Sequence, residues 1–205
     1  MRSSLTITGA TNAWTSQLDL GDNSMIIKVG GTTVRDQVGN QIKQGMTTGG
    51  HQGITSSTAV ANANGDTTLG YALASDVSAS SFGGLPVSGT DVLVKYTWKG
   101  DATLDGIVNV SDLTNLATFY GNSAADWAMG DFDGDKLVNV SDLTILATYY
   151  GRGAPPNSPL MSFQDALAMF PQFGGSGGSD SVPEPTSLGL LGLGAVGLLI
   201  RRRRK

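Results

Sequence analysis

Two stretches of this chain are near copies of one another. "GDATLDGIVNVSDLTNLATFYG" begins at Gly100 and "GDFDGDKLVNVSDLTILATYYG" at Gly130, in a thirty-residue register with no gap, and "VNVSDLT" is identical in both. A fixed period of this length marks one supersecondary unit used twice, so the two copies must share a structure. Counted from the first aspartate of each copy, oxygen-bearing side chains fall at positions 1, 3, 5, 9 and 12. In the first copy these are Asp101, Thr103, Asp105, Asn109 and Asp112; in the second they are Asp131, Asp133, Asp135, Asn139 and Asp142. Acidic turns without a ligand would scatter their aspartates and would not reproduce them in register.

A hard divalent cation such as Ca²⁺ takes six to eight oxygens at about 2.3–2.6 Å, and a twelve-residue loop of this spacing wraps them round one point. Position 7 supplies a backbone carbonyl, here from Ile107 and Leu137, while Val108 and Val138 are placed to pack the loops together. The spacing predicts two Ca²⁺, one per loop, relieving the repulsion among eight aspartates between Asp101 and Asp142. Two departures stand out. Thr103 removes a carboxylate from the first loop. Lys136 occupies position 6 of the second, where Gly106 stands in the first; a left-handed non-glycine backbone costs about 1–2 kcal/mol, and the ammonium is expected near the cation.

After position 12 each copy reads as a helix, with Leu113, Leu116, Ala117 and Tyr120 on one face of the first and Leu143, Leu146, Ala147 and Tyr150 on one face of the second. Gly121 and Gly151 end them. The segment before the first loop, "VLVKYTW", has a strand pattern, so no helix enters the loop. A duplicated EF-hand-type loop with an exit helix resembles the type I dockerin module, over about a quarter of the chain. The resemblance implies that positions 10 and 11, Val110 and Ser111 with Val140 and Ser141, meet a cohesin-like partner in either of two orientations. Packing within the chain, or attachment to another surface protein, stays open beside it.

The remaining sequence divides round this module. Residues 1–99 read as β-rich: "LTIT", "QLDL", "MIIKV" and "DVLVKYTW" alternate between Gly, Asn and Asp turns. Val34, Val38 and Ile42 predict one short surface helix. Gly, Ser, Thr and Asn dominate residues 47–90. Both the end of a β-solenoid and a β-sandwich-like domain with long loops fit this pattern. His51, the single histidine, reads as a loop residue. Residues 152–181 form a Pro/Gly/Ser linker with one short helix capped by Ser162. Absent cysteine excludes disulfides and thiolate metal sites. Five of the 13 basic residues are the last five, leaving eight against 17 acidic ones, a balance that repels nucleic acid. The expected fold is therefore mixed: a β-rich N-terminal region, a small α module built on EF-hand-type loops, and a C-terminal transmembrane helix.

That last element comes from residues 182–205, "VPEPTSLGLLGLGAVGLLIRRRRK". The fifteen residues Thr186–Ile200 reach about 22 Å as a helix, short of the roughly 30 Å hydrocarbon core. The cations after them place residues 1–185 outside by the positive-inside rule. Val182, Pro183, Glu184 and Pro185, followed by the apolar run and the arginines, resemble the PEP-CTERM sorting signal. The resemblance implies reading by exosortase, a membrane protease/transpeptidase. It also implies an inner-membrane precursor with its N-terminus outside, then a place at the cell surface or outside the cell. "MRSSLTITGATNAW" has no apolar region of export-signal length, so a longer protein with further sequence upstream is expected. The reading is a non-catalytic, calcium-stabilised, exported surface or matrix protein. Its alternative is the end of a dockerin-bearing glycoside hydrolase with its catalytic domain upstream. Within residues 1–99 the acids Asp19, Asp22, Asp36, Asp66, Asp76 and Asp91 are scattered in turn-like contexts, without the paired carboxylates such catalysis needs.

Overall fold

The computed structural model describes residues 6–47 and 51–173, which lie in one compact unit. In chain order the elements are β1 (Gly9–Ala10), β2 (Ala13–Trp14), β3 (Gln17–Asp19), β4 (Ser24–Ile27), α1 (Gly31–Thr47), β5 (Gly53–Thr55), α2 (Ser57–Ala61), β6 (Thr67–Leu73), β7 (Ser81–Phe82), β8 (Leu85–Pro86), β9 (Val92–Trp98), α3 (Val110–Phe119), α4 (Val140–Tyr149) and α5 (Phe163–Leu167). Turns of 3₁₀ helix cover Trp127–Met129 and Pro171–Phe173. The result is a mixed α/β fold with several small sheets.

Strand β9 organises the N-terminal part. Its alternating Val92, Val94 and Tyr96 pair antiparallel with β6 from Leu73↔Val92 to Thr67↔Trp98, and β4 pairs on its other side from Ile27↔Val92 to Ser24↔Lys95. Period-two alternation puts Leu69, Tyr71 and Leu73 on one face of β6 and Thr68, Gly70 and Ala72 on the other. The side chains of Leu104 and Trp127, both from the repeat, stand over Gly70, where a Cβ would clash with them. One core therefore holds Val38 and Ile42 of α1, Leu69, Tyr71 and Leu73 of β6, Val92–Val94 of β9, and Leu104, Trp127 and Ala128 of the repeat. Each fully buried aliphatic or aromatic side chain contributes about 1.5–3 kcal/mol.

Two expectations are corrected here. The helix predicted from Val34, Val38 and Ile42 is seventeen residues long, and Arg35, Val38, Gly39 and Ile42 at i, i+3, i+4 and i+7 form a buried stripe, so it is no surface helix. Nor are the sheets of residues 6–99 those of a solenoid or a sandwich. The largest is three-stranded and antiparallel in the order β4-β9-β6; β3 and β5 form a separate parallel pair, and β1–β2 and β7–β8 are two-residue hairpins. Stacked rungs need parallel strands in one sheet, and here the apolar faces are closed by α1 and by the repeat instead. Of "LTIT", residues 6–8 are not in a strand and Leu5 lies outside the described residues.

The repeat and α5 build a second core from Val108, Leu113, Leu116, Ala125, Val138, Leu146 and Ala166. The copies exchange backbone bonds reciprocally. Gly121 N–H, after α3, donates to Val138 O at 2.8 Å, and Gly151 N–H, after α4, donates to Val108 O at 2.8 Å. Both glycines are left-handed, at φ 85° and 87°. The tyrosine closing each exit helix meets a phenylalanine edge-on: Tyr120 with Phe173 at 4.8 Å and Tyr150 with Phe163 at 5.3 Å. Among the described residues no helix is long and apolar enough to cross a membrane. Residues 174–205, and with them the predicted transmembrane helix and Val182–Pro185, lie outside the described residues.

Candidate metal centre

The two loops fold alike because the same side chains do the same local work. Asn109 Oδ1 accepts from Ser111 N–H at 2.7 Å while Asp112 Oδ2 accepts from Asn109 N–H at 2.8 Å, a reciprocal capping box at the start of α3. Asn139, Ser141 and Asp142 repeat it for α4 at 2.7 and 2.9 Å. At position 5, Asp105 and Asp135 each accept the N–H of position 7, Ile107 or Leu137, at 2.7 Å. The chain turns left-handed twice per loop, at positions 4 and 6, and each loop has one glycine for the two places. Leu104 (φ 59°) and Gly106 (φ 96°) serve the first; Gly134 (φ 72°) and Lys136 (φ 75°) serve the second. The strain expected at Lys136 is thus matched by Leu104. The Lys136 ammonium donates to Ala125 O at 3.3 Å, and its N–H donates to Asp131 Oδ2 at 3.1 Å.

Position-1 and position-12 carboxylates are buried: Asp101 and Asp112 are fully enclosed in the first loop, as are Asp131 and Asp142 in the second. Burial disfavours their charged forms. It raises Asp112 to about 7 and Asp131 to about 6, each with a neighbouring carboxylate adding to the shift, Asp101 for the former and Asp142 for the latter. Asp101 and Asp142 are raised for the same reason. Asp131, Asp133 and Asp142 bring carboxylate oxygens within 4.8 Å of one another. Asp131 Oδ1 is buried and has no hydrogen-bond partner. A buried carboxylate oxygen without a donor is costly, and an all-oxygen set round it suits a hard cation.

Residues outside the two loops complete the site, and local spacing gave no sign of them. Lys43 of α1 donates its ammonium to Gly134 O at 2.5 Å, and Lys95 of β9 donates to Leu104 O at 2.7 Å, so each loop's position-4 carbonyl is held by a lysine from the N-terminal part. Thr97 of β9 donates its hydroxyl to Asp101. Trp127 donates its indole N–H to Asp101 O at 2.6 Å and meets Phe132 of the second loop edge-on at 5.1 Å. Arg35, buried in α1, reaches Asp126 at 2.6 Å and Asp76 at 3.4 Å. The second loop faces a cleft of about 750 Å³, lined also by Lys43, Met46, Tyr71, Trp127 and Tyr149.

The positions named for docking are not equivalent. Val140 is 64% exposed, whereas Val110 is half-buried against the second core; Ser111 and Ser141 are exposed. Acids of the N-terminal part are engaged in structure. Asp19 Oδ1 accepts from Gly21 and Ser57 N–H, Asp91 binds Lys28 and the N–H of Ser88 and Val29, Asp66 pairs with Arg152 at 3.2 Å, and Asp36 pairs with Arg35. The backbone and lysine bonds hold Asp91 well below the usual carboxylate range. His51 Nδ1 lies 3.0 Å from Gly45 O.

Comparison with known proteins adds one finding, at the other end of the chain. No curated protein and no solved structure matches. Residues 181–204 match the family model of the PEP-CTERM protein-sorting motif. Such signals mark exported proteins that are processed by exosortase, a membrane protease, and are then found at the cell surface. The chain therefore carries, at residues 181–204, a PEP-CTERM signal for exosortase-dependent sorting.

Proposed function

We propose that this is a non-catalytic protein of the cell surface or extracellular matrix. Its body is held together by calcium in the paired loops, and its tail is removed at the outer face of the inner membrane. The sorting motif at residues 181–204 carries the reading, because only an exported protein has use for it. The calcium part is supported by the fit of the donor set: Asp131, Asp133 and Asp142 converge, and the partnerless buried oxygen of Asp131 asks for a positive charge. In such a site the carboxylates, with Asp135, Asn139 and the Leu137 carbonyl, would hold the ion. The ion would neutralise carboxylates whose charged forms burial disfavours first and neighbouring carboxylates second.

The paired loops serve this body as a packed internal piece. The half-buried Val110, and the lysines and core residues shared with the N-terminal part, favour that over symmetrical docking to a cohesin-like partner. Val140 and Ser141 are the exposed remainder to which a surface protein could attach. Processing is read to depend on Glu184, the acidic residue between the two prolines of the motif. The test fuses residues 174–205 behind an exported reporter in a host that has exosortase. The parent fusion should be shortened and leave the membrane, and Glu184→Ala should stay there at full mass. If both remain intact in the membrane, the tail is an anchor only.

A further inference from the structure

The sequence assigns one ion to each loop, but the two loops are not in the same state. We infer that only the second loop seats a divalent cation and that the first is closed from within by two hydroxyl groups. This rests on reading the paired loops as a calcium site.

In the first loop every oxygen of the two buried carboxylates already meets a donor. Asp101 Oδ2 accepts from Gly106 N–H at 3.0 Å and from the Thr97 hydroxyl. Asp112 Oδ2 accepts from Asn109 N–H at 2.8 Å, and Asp112 Oδ1 accepts from Thr103 N–H at 3.0 Å. The Thr103 hydroxyl spans what would be the centre, 3.0 Å from Asp112 Oδ1 and 3.4 Å from Asp101 Oδ1. A cation there would have to displace bonds that cost nothing to keep.

The thirty-residue register shows why the second loop differs. Trp127 stands where Thr97 stands in the first copy, and Asp133 stands where Thr103 does. Trp127 turns its indole N–H to the Asp101 carbonyl, so Asp131 Oδ2 keeps the Lys136 N–H without the hydroxyl that Thr97 gives Asp101 Oδ2. With Asp133 in place of the Thr103 hydroxyl that faces Asp101 Oδ1, Asp131 Oδ1 is left buried without a partner. Replacing Thr103 by Asp133 exchanges a donor for a further carboxylate. Among the described residues, the convergent acidic triad is the second loop's alone. Asp131, Asp133 and Asp135 also line the 750 Å³ cleft, which gives an ion a path in. The lysines do not separate the loops, because Lys43 and Lys95 take matching carbonyls.

Equilibrium dialysis of the EDTA-stripped full chain against CaCl₂ decides the matter. One ion per chain is expected, and two sites of similar affinity would overturn the inference while leaving the calcium reading in place. No bound ion removes that reading as well. Two exposed aspartates at position 5 give a matched comparison: Asp135→Asn should weaken binding about tenfold or more, and Asp105→Asn should shift it less than about twofold. Equal effects would overturn the inference. Thr97→Val combined with Thr103→Asp should admit a second ion. If this variant keeps its near-ultraviolet circular dichroism yet still binds one, the hydroxyls are not what closes the first loop.

Discussion

Leu104 and Lys136 occupy the same region of backbone space at φ 59° and 75°, and glycine in their place should act in opposite directions. Relief of left-handed strain is worth about 1–2 kcal/mol at either position. At Lys136 little is set against it: the side chain is exposed, its bond to Ala125 O is long at 3.3 Å, and glycine's extra freedom in the unfolded chain costs roughly 0.5–1 kcal/mol. Lys136→Gly should therefore raise stability by about 0.5 kcal/mol. Leu104 is buried in the larger core over Gly70, and removing such a side chain costs about 2–5 kcal/mol. Leu104→Gly should lower stability by about 2 kcal/mol or more. Urea unfolding of the full chain with a common m-value measures both; a gain from Leu104→Gly would mean that its side chain packs against nothing of consequence.

At the scale of elements, the crossing of α1 over β5 depends on two glycines. A Cβ at Gly45 would collide with the Ile54 carbonyl, and one at Gly53 with the Gln41 carbonyl, so helix and strand meet backbone to backbone. Helix propensity alone makes Gly45→Ala stabilising by about 1 kcal/mol. Since the obstruction is main chain and cannot swing away, the variant should instead lose about 1–3 kcal/mol, visible as a lower thermal midpoint. A higher midpoint would show that α1 does not sit down on β5. The same crossing explains what the sequence hides. Strand β9 and the exit helices α3 and α4 are legible because their apolar period is local: Val92, Val94 and Tyr96 alternate, and Leu113, Leu116 and Ala117 recur on one face. The length of α1 is not legible, because Arg35, Gly39, Gln41 and Gly45 in its buried face carry no apolar signal. Strand β6 is buried at every residue despite its two threonines and Gly70, since Leu104 and Trp127 arrive from far along the chain to cover it. The loop positions in the candidate site follow from spacing. The partners that tell one loop from the other, Thr97 and Trp127, lie before each loop and show their meaning only in three dimensions.

For the molecule as a whole, the burial of carboxylates makes the stability of the fold depend on pH. Asp112 and Asp131 bind protons more tightly in the fold, at about 7 and about 6, than at the ordinary value of 3.8 expected of the unfolded chain. Over that window the native state holds the extra protons, so stability falls as pH rises from about 4 towards 7. Asp19 and Asp91 are shifted the other way, and their effect lies below this window. In EDTA the thermal midpoint should be higher at pH 5 than at pH 8, and added Ca²⁺ should narrow or reverse the gap by raising the value at pH 8. An equal or higher midpoint in EDTA at pH 8 would contradict the buried state of these carboxylates. The shared core has one more consequence, which concerns inheritance. A cassette that moves between genes must carry its own interior, as a plug carries its own pins. This repeat lends Leu104, Trp127 and Ala128 to the sheet before it and borrows Lys43, Lys95 and Thr97 in return. Cut at residue 99 and grafted elsewhere, it would arrive with an exposed tryptophan and an unheld pair of loops. The repeat and its sheet are therefore bound to travel together, as one heritable piece.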